Sequence, residues 1–156
     1  MRSCSALAIG LLLLSAACIR STTESLQAAR YPDETVRNFL SLSAGAKSGE
    51  DRKRLEGMCY GKMRDAFAQM SDDVFRLSYL GGSIKILDIK VVETSTKEDV
   101  AKVRYQVSVE NRQGTDPTRE TNEREVELAR NQGLWYIASI KAQGTDKIAF
   151  TNGMIF

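Results

Sequence analysis

The sequence predicts an α+β domain, with about three helices in the amino-terminal half packed on one face of a curved antiparallel sheet of four or more strands. Three observations carry that expectation. Apolar residues recur at helical spacing from Val36 to Met70, the period switches to strict alternation in "VAKVRYQVSVE", and polar turn-forming stretches separate the apolar runs after Gly82. A chain of 156 residues with 42% hydrophobic and 27% charged content is long enough for one buried core and argues for no second domain.

The elements follow in order. In "PDETVRNFLSLSAGAK" a first helix begins at Pro32, with Asp33 and Glu34 at its positive end, Val36, Phe39 and Leu40 inward, and Gly45 near its stop. A second helix is expected from about Glu50 to Met70, because Leu55, Met58, Cys59, Lys62, Met63, Ala66, Phe67 and Met70 share one face. A third is capped by Ser71, carries Asp72 and Asp73 in its first turn, and stops at Gly81-Gly82. "SIKILDIKVVE" is the first strand, with Leu87, Ile89 and Val91 expected inward and Asp88 and Lys90 outward. "ETSTKED" is read as a polar turn and "VAKVRYQVSVE" as the second strand, with Ala101, Val103, Tyr105, Val107 and Val109 on its apolar face. A long loop, "NRQGTDPTRETN", leads to "EREVELAR", with Val126 and Leu128 inward. "NQG" then turns the chain into "LWYIASIKA", and the tail is expected to add a hairpin at Asn152-Gly153.

The amino terminus has the layout of an export signal: Arg2 in a short basic start, an apolar segment from Ala6 to Leu14, and the small residues Ser15, Ala16 and Ala17. The apolar run is about half of the roughly 20 residues that a spanning helix needs, and "IRSTTESLQ" after it is polar. Cys18, directly after the small residues, resembles the cysteine of a bacterial lipobox, with Ser15 where leucine is usual and Leu14 one place earlier. The resemblance implies a signal peptide at 1–17, a lipid-bearing Cys18 with a tether at 18–31, and a folded domain at 32–156. It also implies a bacterial envelope location; Ile19, which is not the aspartate of inner-membrane retention, favours the outer membrane. Acyl chains contributing about 0.8 kcal/mol per buried methylene make such an anchor lasting. The alternative is a signal peptide cut near "SAA" that releases a soluble periplasmic protein.

Composition excludes several chemistries. The chain has no histidine, which removes Ser-His-Asp and Cys-His pairs and the histidine-containing metal sites, so no metal or other cofactor is expected. The 22 basic and 20 acidic residues alternate without a basic stripe, which argues against a nucleic-acid partner. Of the three cysteines, Cys4 and Cys18 belong to the leader and the anchor, leaving Cys59 as a single core thiol.

"VRNFLSL", the Ser-Asp-Asp helix start, "AKVRYQVSV" and the closing "GLWYI" together resemble the NTF2-like superfamily, and within it the bacterial lipoproteins with a DUF4878-type domain. That resemblance, over residues 32 to 142, implies a cone whose sheet wraps the helices around a pocket. The superfamily includes isomerases, dehydratases and non-enzymatic binding modules. For catalysis the only set available is Asp88 with Tyr105 and Tyr79, and alternation places Asp88 toward solvent. The leading expectation is therefore a non-catalytic binding domain for a small apolar ligand, a peptide or an envelope protein. Met63, Phe67, Tyr79, Tyr105, Val107 and Trp135 are its expected pocket lining. A homodimer formed through the open sheet face is the structural alternative.

Overall fold

Pro32 fixes the backbone at the first position of α1 (Pro32–Gly45), and Tyr31, extended just before it, accepts a bond from the Thr35 amide at 3.1 Å. These features come from a computed structural model, which describes residues 27–79, 84–112 and 116–142. The leader, Cys18, the Gly81-Gly82 stop and the expected hairpin at Asn152-Gly153 lie outside the described residues. Val36, Phe39 and Leu40 face the core, as their spacing predicts.

The long second helix expected between Glu50 and Met70 is instead two: α2 (Gly49–Gly57) and α3 (Gly61–Gln69). Gly57 and Gly61 bracket the break. Tyr60 is extended, and Gly61 takes a φ of 54°, a left-handed conformation that a side chain resists. The intervening backbone has a tertiary partner that outweighs helical continuity: the Ile137 amide donates to the Met58 carbonyl at 2.9 Å, and the Tyr60 amide donates to the Ile137 carbonyl at 2.8 Å. The apolar face survives the break, since Leu55, Met58, Cys59, Met63, Phe67 and Met70 are all buried. Ser71 caps α4 (Asp72–Tyr79), its hydroxyl accepting from the Val74 amide at 3.3 Å.

Among the described residues, four antiparallel strands, β1 (Ile84–Lys97), β2 (Val100–Asn111), β3 (Thr118–Asn131) and β4 (Leu134–Ala142), form one sheet in the order β1-β2-β3-β4. Two connections are tighter than expected. "ETSTK" continues β1, and only Glu98 and Asp99 make the turn, with Glu98 at a φ of 54°. β3 likewise begins at Thr118, so part of the expected loop is strand. At the β3–β4 turn, Gln132 and Gly133 both have positive φ, the primed geometry that matches strand twist.

Register on β1 departs from simple alternation. Pairing skips Leu87 and then Val92, so each is the extra residue of a bulge. Leu87, expected inward, is accordingly exposed, while Ile86, Ile89 and Val91 turn toward the core. On β2 the alternation holds throughout, and Val126 and Leu128 of β3 are fully buried as expected.

The helices cover one face of the sheet. Phe39, Phe67, Phe75 and Tyr79 form a chain of ring contacts between them, from an edge-on pair at 6.1 Å to a stacked pair at 4.8 Å. The segment before α1, expected to be tether up to residue 31, is part of the body from residue 28. Ala28 and Ala29 are buried, and the Trp135 amide donates to the Ala29 carbonyl at 2.8 Å. The buried Thr35 hydroxyl joins the two, accepting from the Ala29 amide at 2.9 Å and donating to the Trp135 carbonyl at 3.2 Å.

Candidate functional site

Met63, Phe67, Tyr79, Tyr105, Val107 and Trp135 do come together, but as packing. None is more than 4% exposed, and all six belong to the main apolar cluster between helices and sheet. A residue in a close-packed interior has its surface satisfied by its neighbours, so these side chains fill the space expected for a ligand. Burial drives the proton affinities of both tyrosines above the ordinary phenol range. The neighbouring Cys59 adds to the effect at Tyr79, and Arg124, close to Tyr105, partly offsets it there. The Cys59 thiol is pushed up by burial and by Glu56, which keeps it in the unreactive protonated form.

Asp88 stands apart from both tyrosines. It pairs with Ser108 in register and is exposed, whereas Tyr105 on β2 faces the core. The three residues that would have made a catalytic set are divided between the two faces of the sheet.

The outer face of the sheet carries the molecule's polar constellation. Alternation brings Lys102, Arg104 and Gln106 of β2 to this side, opposite Glu127, Glu125 and Glu123 of β3. Across the other seam, Arg104 faces Glu93 and Lys102 faces Ser95. Arg104 forms the hub: one guanidinium nitrogen binds Glu93, and Nε lies 3.6 Å from Glu123. Lys102 reaches Glu125 at 3.8 Å, and the Gln106 amide donates to Glu123 at 3.3 Å. Glu93, Ser95, Lys102, Arg104 and Glu125 line an open depression of about 160 Å³. Both signs of charge converge there with a hydroxyl, which suits a ligand carrying donors and acceptors of its own, such as a peptide segment.

Further along the same face, Glu110 is held below the usual carboxylate range, first by its bond with Arg112 and then by Arg119. Ser108 and Thr121 share a hydroxyl bond at 3.0 Å. The depression was not legible in the sequence because "ETSTKED" reads as a turn, which takes Ser95 out of the sheet and leaves Glu93 at the strand's expected end. The outward positions of β2 were legible from its alternation alone.

Among the described residues, no helix is long and apolar enough to cross a membrane. No family model matches the chain, and no curated protein matches it. Among solved structures, it is similar to a SEC-C motif containing protein from Rhodopseudomonas palustris, with 19% identity and a TM-score of 0.58 over 74% of this chain and 81% of that one. It is also similar to the intermembrane space region of the chloroplast protein ARC6, with 15% identity and a TM-score of 0.50 over 73% of this chain and 98% of that region. At these identities the likeness is one of fold: helices laid on one face of an antiparallel sheet.

Proposed function

We propose that this protein is a lipid-anchored component of the bacterial cell envelope, whose NTF2-like domain is a non-catalytic module that binds a peptide or partner protein. The anchoring half rests on the lipobox-like run ending at Cys18. The chain is bonded to β4 at Ala29, with ten residues, 19–28, between it and the run that ends at Cys18. Outer-membrane delivery follows from Ile19. The NTF2-like assignment is supported by the order of helices and strands, with the "GLWYI" segment opening β4.

The binding half rests on one observation: the inner residues expected to line a pocket are packed together as core, while the outer face of the sheet presents the charged depression around Arg104. That favours a polar partner held on the outside over a small apolar ligand held within. Two measurements test the proposal. The mass of the mature amino-terminal peptide is expected to place Cys18 first with acyl chains attached; a chain that begins elsewhere and stays in the aqueous fraction overturns the anchor. Envelope peptide extracts are expected to raise the melting temperature of the parent protein, but not that of Arg104→Gln, independently of protein concentration. A rise that persists in Arg104→Gln moves the binding surface away from the depression and overturns that half.

A further inference from the structure

The chain has five tyrosines, and the structure sorts them sharply. Tyr79 and Tyr105 are buried in the core. The other three lie on or beside β4: Tyr31 two residues after the Ala29 bridge to Trp135, Tyr60 bonded through its backbone to Ile137, and Tyr136 between those two anchor points. Tyr31 is 67% exposed and Tyr60 48%, while Tyr136 is half-buried on the outer side of the strand.

Exposed cations accompany them. Arg30 precedes Tyr31, Lys62 follows Tyr60 by two residues, and the Arg130 guanidinium lies over the Trp135 ring, 5.8 Å from its centroid. Exposed tyrosines interleaved with lysine and arginine are the composition that settles at a membrane–water boundary, where the rings take the apolar side and the cations reach the headgroups. The other exposed large apolar residues among those described, Val74 and Leu77 on α4, the bulge residues Leu87 and Val92 on β1, and Val100 at the start of β2, are aliphatic.

Chain geometry points to the same flank. The nine residue steps from Cys18 to Gln27 can reach at most about 30 Å, and the chain is bonded to β4 at Ala29. We propose that the β4 flank is a membrane-facing surface, with Tyr31, Tyr60 and Tyr136 at the headgroup level of the bilayer to which Cys18 fastens the chain. This rests on the anchoring reading above and adds an orientation to it. Leu77 on α4, 78% exposed and on none of the segments that bridge β4, is the comparison position off that flank.

Mature full-length protein in phosphatidylethanolamine and phosphatidylglycerol vesicles doped with brominated lipid tests the orientation. Tyr31→Trp, Tyr60→Trp and Leu77→Trp are read against the parent, whose single tryptophan, Trp135, is buried. The first two variants are expected to show blue-shifted emission that brominated lipid quenches strongly, and Leu77→Trp to behave as in water. Quenching at Leu77→Trp equal to that at the tyrosine positions overturns the orientation, as does absence of quenching at both tyrosine positions in vesicle-bound, acylated protein. Protein that stays in the supernatant with no acyl mass on its terminal peptide overturns the anchoring reading, and the orientation with it.

Discussion

Among the described residues β1 and β4 are the outer strands of the sheet, yet they are finished in opposite ways. Two backbone fragments lie along β4, Ala29 bridging Trp135 in the antiparallel sense and Cys59 bridging Ile137 in the parallel sense. Against β1, the helical layer supplies a side-chain bond, from the Arg37 guanidinium to the Ile89 carbonyl at 3.2 Å. The contrast shows two answers to the hazard of an exposed strand. β4 is satisfied by pairing, which also fastens the helical half to the sheet. β1 carries the features that discourage pairing by strangers: two bulges and a run of charges including Lys85, Asp88, Lys90, Glu93 and Lys97.

That contrast implies an ordering of mutational costs. The largest gap is expected between Ile137→Ala and Ile89→Ala. Ile137 is fully buried at the point where α2 and α3 meet β4, and truncation there costs about 2–5 kcal/mol. Ile89 is only partly buried and should lose about half as much. Urea unfolding of the two variants measures this; equal losses would mean that both margins carry the same weight.

A smaller effect isolates the backbone seal. Thr35→Val keeps the shape of the side chain but removes the hydroxyl between Ala29 and Trp135, leaving the buried Ala29 amide without its acceptor at a cost of about 1–3 kcal/mol. Limited proteolysis between residues 27 and 31 should accelerate at the same time. A variant of parental stability and parental protease resistance would show that the seal holds without Thr35.

The smallest effect belongs to β1. Arg37→Ala removes one exposed bond and should change global stability by less than about 0.5 kcal/mol. Amide exchange should speed up around Ile89 and stay unchanged along β4. Exchange that speeds up on both strands would tie the two margins into one cooperative unit and remove the distinction.

What the sequence made legible was periodicity. The alternation of β2, the bounds of β4, the Pro32 start and the Ser71 cap are written in neighbouring residues, so local rules recover them. The break between α2 and α3 was not legible, because the residues around Cys59 satisfy helical spacing and their real partner, Ile137, is 78 positions away. Gly57 and Gly61 were the available hint. The β1 bulges were hidden for a similar reason: one inserted residue puts the positions before and after it out of phase, so Ile86 rather than Leu87 joins Ile89 and Val91 against the core, and nothing in "KILDIKVVE" marks where it falls. The six residues expected to line a pocket were correctly grouped as apolar and convergent. Pattern alone cannot distinguish the wall of a cavity from the middle of a filled interior, since both demand the same side chains.

The Thr35 link spans 100 positions, and the chain travels through every helix and strand before it closes. Its consequence concerns the order of events during synthesis. Until residues 135 to 137 exist, the Ala29 carbonyl and the Met58 carbonyl have no strand to meet, so the helical half waits unfinished for the last described strand. A chain halted anywhere upstream would hold most of its apolar side chains and none of the clasp that secures them.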